Sequence, residues 1–289
     1  MLRSLASAAR NDPGGLPGVT LMHGRALIVD AGVATVGAGP VLTAVVAGSG
    51  STFTVRNSAF TSPIWLLDMW RQSAHKGEAQ ITSPKLVPVS NGIRIQTPTG
   101  LADFLLPGPP FQGLTPQDLL TVNDNGTAAD VDLIAIQSYY QDLPGVSMTL
   151  KSPGDIVGVT DYVFGWPVAV TSSGTAGNQN STVVTTTVDS STANIWYAML
   201  GYIVDGAIGC VGLSGVDTSA TFIGGPGDID ARFTRTYFAD LSERTGLPCI
   251  PLWNAANKGN TNIVVADHGA STSVNVTMIL AQLNANYQP

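Results

Sequence analysis

Charge is what this sequence lacks most. Only 11% of its 289 residues are Asp, Glu, Lys or Arg, less than half the usual share of about 25%. Of the twenty acids just two are Glu, Glu78 and Glu243. Asp favours turns and caps, whereas Glu favours helices, so a protein built mainly of long exposed helices is excluded. The net charge is −7 and the thirteen basic residues are scattered, which excludes a clustered Lys/Arg face for phosphates and with it direct sequence-specific nucleic-acid binding. Arg3 and Arg10 on the opening segment come nearest to a basic arm. A surface so poor in ions has little electrostatic protection against association, and points to faces covered by neighbours in an assembly.

Cysteine and histidine are equally sparse. Cys210 and Cys249 are the only thiols, too few for a disulfide scaffold or a zinc site, and both are expected to be free and buried. His23, His75 and His268 stand far apart in the chain, in no metal-binding spacing, so no metal is expected. Asp228-Ile-Asp230 could chelate Ca²⁺ at a loop, but a cap for the helix starting there is the expected role. Gly212-Leu-Ser214-Gly215 lacks the closing glycine of a nucleophile elbow and reads as a turn. Gly37-Ala-Gly39-Pro40 is no dinucleotide fingerprint, and no phosphate-binding G-x-x-x-x-G-K occurs. Glu78, entering a strand, and Glu243, near a helix end, leave little room for a glycosidase pair and read as surface residues. Catalytic, cofactor-binding and metal residues are therefore expected to be none, although an active site can be assembled from residues distant in sequence. Asp267-His268 raises the one question of an acid–base pair.

Apolar runs are short. The opening MLRSLASAARND has no apolar core, so no secretory signal is expected. The stretch Ile195–Leu213 approaches spanning length but is broken by Asp205 and four glycines, and reads as two buried strands turning at Asp205-Gly206.

What the chain has in abundance is turns. DPGG, GAGP, SNG, PGPP, NDNG, SPGD, SSGTAG, GGPGD and DHG recur every ten residues or so, separated by β-branched runs such as GIRIQT, VDLIAIQ, NIVVA and VNVTMIL. That spacing predicts sandwiches or barrels. Helical periodicity is confined to 63–77, with Trp65, Leu66, Met69 and Trp70 on one side, and to 230–246, with Phe233, Tyr237, Phe238 and Leu241 on one side and Gly246 as the stop. LTPQDLL near 114 could add one turn. Four of the five tryptophans, Trp65, Trp70, Trp166, Trp196 and Trp253, have aliphatic neighbours, so core packing is expected over sugar stacking. The sequon at Asn180 lies in a polar run that reads as an exposed loop.

Two pairs of segments resemble one another. Residues 120–136, LTVNDNGTAADVDLIAI, align without a gap to 263–279, IVVADHGASTSVNVTMI, sharing Val122/Val265, Asp124/Asp267, Gly126/Gly269, Val131/Val274 and Ile136/Ile279. Residues 52–65 align to 183–196, sharing Ile64/Ile195 and Trp65/Trp196. The matches keep their order at about half the chain length. They suggest a duplicated fold, with two unrelated hairpins of the same turn chemistry as the alternative. The expected division is an arm over 1–18, a first β-domain over 19–147 and a second over 148–289, with junction punctuation at 143–155. Asp267-His268-Gly269 then matches Asp124-Asn125-Gly126 and reads as a turn with a solvent-facing His268.

A chain of this length with paired β halves, a few short helices in the connections and a short N-terminal arm resembles the double jelly-roll major capsid proteins of icosahedral, often membrane-containing, viruses. The resemblance is architectural, carried by the paired segments, with no signature residues. It implies two consecutive jelly-roll barrels and a self-assembling homotrimer, the pseudo-hexameric capsomer of a virion shell, bacteriophage shells included. It also implies contacts with neighbouring capsomers, other virion proteins and an internal membrane reached by the arm. The run SSGTAGNQNST would face outward. The alternatives are a decoration or spike protein of a virion, and a two-domain carbohydrate-binding β-sandwich or hydrolase. Function inferred from fold is analogy.

Overall fold

The computed structural model describes residues 23–35, 43–44, 46–47, 64–73, 75–84, 92–97, 100–104, 113–114, 120–125, 131–144, 148–183, 194–215, 217, 223–227, 231–269 and 271–289. The arm over 1–18, Asp228, Asp230 and the turn at 115–119 lie outside them. The described residues form four antiparallel sheets, a mainly β fold of sandwich type.

In the first half, one sheet runs β3 (Val46–Ala47), β1 (His23–Thr35), β10 (Val131–Pro144), β4 (Ile64–Ser73), β7 (Gly100–Phe104), with β8 (Gly113–Leu114) also on β4. The facing sheet runs β2 (Thr43–Ala44), β9 (Thr121–Asn125), β5 (Gly77–Thr82), β6 (Ile93–Thr97). In the second half, one sheet runs β11 (Leu150–Lys151), β17 (Ile250–Asn254), β14 (Trp196–Val204), β19 (Ser273–Leu283), β12 (Thr160–Thr171). Its partner runs β13 (Asn180–Val183), β18 (Asn262–Ala266), β15 (Cys210–Ser214), β16 (Ile223–Pro226). Among the described residues, no strand pairing joins the two halves.

Setting β3, β8 and β11 aside leaves eight strands in each half with one shared order. Counted along the chain, both halves pair first–eighth–third–sixth in one sheet and second–seventh–fourth–fifth in the other. Alternation explains the sandwiches. In β12, Trp166, Val168 and Val170 point inward while Pro167, Ala169 and Thr171 are exposed, the period-2 pattern of a strand with one wet face.

The helical reading of 63–77 is wrong: Ile64–Ser73 is the strand β4. Nine of its ten residues are buried because both faces are covered. Met69 faces the first-half core and Trp70 faces the second half. A strand buried on both sides loses its alternation, and its apolar residues then mimic a helical stripe.

The second helical reading holds with a break. Residues 231–245 form α2 (Ala231–Thr234) and α3 (Tyr237–Thr245), and Gly246 caps α3 in the left-handed conformation at φ 68°. Tyr237, Phe238 and Leu241 are buried as expected, but Phe233 is 61% exposed. Ile195–Leu213 is indeed two strands, β14 and β15, with the turn at Asp205-Gly206 between them. Among the described residues no helix is long and apolar enough to cross a membrane.

The paired segments fall on equivalent strands. β9 and β18 match, as do β10 and β19. Val122 and Val265 both face inward. Past the turn the ungapped alignment slips by one residue, since Asp132 and Val274 take the same inward position at an offset of 142. Ile136 is therefore a core residue, whereas Ile279 is half-buried on the outer face. A one-residue shift exchanges the faces of a strand, so the Val131/Val274 and Ile136/Ile279 identities are not structural equivalents. In the second match, Ile64 and Ile195 both lead into the third strand of their half.

Candidate functional site: the contact between the halves and two open sheet faces

The outer face of β1–β10–β4 is the most informative surface in the protein. Val29, Ala31, Val33, Leu133, Ala135 and Trp70 on this face pack against Cys210, Val264 and Ala266 from the outer face of β15–β18. Polar side chains among them bond across the contact. Trp70 Nε1 donates to Gly209 O at 2.9 Å, and Gln137 Nε2 donates to Gly224 O at 2.6 Å. Tyr237 OH donates to Gln137 Oε1 at 2.9 Å, and the His268 amide donates to Gln72 Oε1 at 3.1 Å. Arg244 of α3 reaches Asp68 of β4 at 3.0 Å. Gly209 packs closely here: a Cβ would stand 2.4 Å from Gln72 Oε1 and 3.1 Å from Ala266 O, so a side chain would have to displace Gln72.

Burial controls the ionisable groups at this contact. It pushes the Asp68 carboxyl up to about 7, with Arg244 pulling it down. It raises the Tyr237 hydroxyl well above its usual value, keeping it protonated to donate. Burial also pushes the Cys210 and Cys249 thiols up to about 12. Both are free and buried, hence inert at neutral pH.

Of the two remaining outer faces, β12–β19 is exposed, whereas β6–β5–β9 is open only in part, with Gln80 buried and Glu78 and Asn123 half-buried. The β12–β19 face presents Gly165, Pro167, Ala169, Thr171, Ser273 and Asn275, all exposed, with Val163 of β12 53% exposed. A recess of about 340 Å³ lined by Ala169, Thr171, Asn180, Thr182, Ser273 and Asn275 opens there. On β6–β5–β9 the outer face is rich in amides. Arg94 and Gln96 are exposed, Asn123 Nδ2 donates to Gln80 Oε1 at 3.1 Å, and Arg94 pairs with Glu78 at 3.0 Å.

Inside the first half lies a charge cluster that the sequence reading missed. Arg71 Nε donates to both Asp124 oxygens, at 3.1 and 3.0 Å, and Arg71 NH2 donates to Asp132 Oδ2. The guanidinium also donates to His75 O at 3.0 Å and Asn125 O at 3.2 Å. The side chains of all three ionic groups are at most 1% exposed. Nothing in the helical reading of 63–77 singled out Arg71. The available signal was the pair of Asp flanking one turn, of which only Asp124 recurs in the second copy as Asp267.

Asp267 and His268 do meet, with Nδ1 to Oδ1 at 3.2 Å, but the arrangement is a turn clasp. Asp267 Oδ1 accepts the His268 amide at 2.9 Å, and Oδ2 accepts the Thr272 hydroxyl at 2.6 Å. Burial raises the Asp267 carboxyl, but the bonds from His268, Thr272 and Gln72 outweigh it and hold the group below its ordinary value. The His268 ring is 31% exposed. His268→Asn is therefore expected to change stability by less than about 0.5 kcal/mol, whereas Asp267→Ala removes the acceptor of the His268 and Thr272 bonds and costs about 1–2 kcal/mol. Thermal unfolding of both variants checks this, and equal losses would reassign the clasp to the histidine.

The other singled-out residues separate clearly. Trp70, Trp166 and Trp253 are buried, and Trp166 stacks on Trp253 at 5.2 Å. Ser214 ends β15 rather than sitting in a turn. Asn180 begins β13 rather than a loop and donates to Thr171 O at 2.6 Å. The run SSGTAGNQNST does not simply face outward: Gly177 is buried, and a Cβ on it would meet Val33 of the first half at 2.4 Å. Glu78 lies on β5 and Glu243 is exposed on α3. Among the described residues no group of three His, Cys, Asp or Glu could hold a metal ion. The sequence matches no known family model and no curated protein.

Proposed function

We propose that this chain is a structural virion protein, the major capsid protein of an icosahedral shell, assembling as homotrimers. In this reading each half is a jelly roll, with the arm over 1–18 and the domains over 19–147 and 148–289. The strand order supports it: eight strands split between two four-stranded sheets, first–eighth–third–sixth facing second–seventh–fourth–fifth, is the order of such a roll.

One observation carries the reading. Within the chain, the outer β1–β10–β4 face of the first half packs on the outer β15–β18 face of the second. The equivalent β12–β19 face of the second half is exposed, and the amide-bearing face of the first is open at Arg94 and Gln96, with Glu78 and Asn123 half-buried and Gln80 buried. Each chain thus ends in one open face and one partly open face of the other kind. Repeating the internal contact between copies is head-to-tail association, which closes into a ring when the rotation allows. Three copies place six similar halves around one axis. Small and hydroxyl side chains on one face meet amides on the other, and the charges named there, Arg94 and Glu78, are paired with each other. The role is structural and not catalytic, and the arm, neighbouring capsomers and other virion proteins are its partners.

Light scattering and negative-stain microscopy of the purified chain test this. A trimer and closed shells are expected, and a stable monomer overturns the proposal. Ala169→Arg puts a charge on the open face, where burying it costs several kcal/mol. It should weaken association by at least about 100-fold and leave the unfolding midpoint unchanged. An unaltered oligomeric mass would remove β12–β19 from the interface.

A further inference from the structure

Inside the first half, the cluster of Arg71, Asp124 and Asp132 holds one buried cation against two buried carboxylates. Asp132 Oδ1 is buried and accepts no hydrogen bond. Among the described residues, the other ionisable groups on the packed elements do not balance the excess. Asp68 lies on the opposite face of β4 with Arg244, Glu78 pairs with Arg94, and Arg25, His75 and Lys76 are exposed.

We propose that this cluster is a one-proton switch, in which Asp124 carries a proton that neutralises the acid excess, and whose loss loosens the end of the first half. The bonds link the proton to the chain on either side. The same guanidinium holds His75 O in the turn between β4 and β5 and Asn125 O at the end of β9. Asn125 Oδ1 in turn accepts the Glu78 amide at 2.8 Å, on the partly open amide-rich face. Gly77 lets the turn lie against the cluster, since a Cβ there would stand 2.4 Å from Arg71 NH2.

The electrostatics agree with the geometry. Burial pushes the Asp124 carboxyl up to about 7, Arg71 opposes this, and Asp132 reinforces it. The folded protein therefore binds more protons than the unfolded chain between about 3.8 and about 7. Stability from this group is complete below that window and is lost as pH rises through it. The switch works in the isolated chain and does not depend on the capsid reading.

The test is infrared spectroscopy of the full chain, following the carbonyl band of a buried protonated carboxyl against pH. Asp68 also titrates near 7, so the measurement is made on the Asp68→Asn variant. A band that vanishes with a midpoint near 7, is missing in Asp68→Asn/Asp124→Asn and moves to lower pH in Asp68→Asn/Asp132→Asn supports the switch. Hydrogen exchange over 73–78 and 121–125, corrected for intrinsic rate, should quicken from about pH 6 to about pH 8. Should Asp124→Asn not fold, the Asp132→Asn shift and the exchange data still decide. Absence of the band, its survival in the Asp124→Asn variant, or exchange that ignores pH each overturns the proposal.

Discussion

Arg71→Ala is expected to destabilise the protein by about 3–5 kcal/mol at neutral pH, the cost of stranding buried charges whose partner is gone. Asp124 and Asp132 would then face each other with no cation between them, and His75 O and Asn125 O would each lose a donor. The direction with pH follows from the same groups. The Asp124 carboxyl, pushed up to about 7 by burial, takes up a proton on the acid side, which relieves the repulsion. The loss should therefore be smaller at about pH 5 than at about pH 8. Urea unfolding of the variant and the parent at the two pH values measures it. A loss below about 1 kcal/mol, or one independent of pH, would mean that water reaches the cluster.

Trp70→Ala should cost a similar amount, about 3–5 kcal/mol, but it acts at a different place. Trp70 is fully buried on the outer face of β4, against the second half rather than inside a barrel. Its loss opens a cavity between the halves and leaves Gly209 O without its donor. The halves should then unfold in two steps where the parent unfolds in one, because each keeps its own core while their coupling is gone. Trp70→Phe retains most of the packing and loses only the hydrogen bond, so it should cost about 1–2 kcal/mol. Calorimetry of the three chains distinguishes these outcomes. A single transition in Trp70→Ala would show that the contact between the halves is held mainly by Gln137, Arg244 and their partners.

These two residues also mark where reading the sequence stops. Trp70 and Arg71 are neighbours on one strand and point to opposite sides, each into a buried environment. Their partners, Gly209 and Asp124, lie 139 and 53 residues away. Nothing local separates this stretch from an amphipathic helix, because the contrast between wet and dry faces that reveals a strand is missing. In β12 that contrast is present, and the strand is legible residue by residue. The clasp at Asp267 was legible too: Asp and Gly at turn spacing predicted a turn, and a turn it is. The one-residue slip between β10 and β19 was not, since identical letters carry no mark of which face they occupy.

The sequence alone determined that this is a β protein of short strands and turns, with few charges, two inert thiols and paired segments in two halves. Those properties are local: turn chemistry, β-branched runs and composition act within a few residues of each other. Tertiary structure alone decided that β4 is a strand. It decided that Arg71 sits with two acids in the first-half core, and that one outer face of each half meets the other half while a second stays open or partly open. Each of these depends on what covers a face, and the covering residues come from strands far away in the chain.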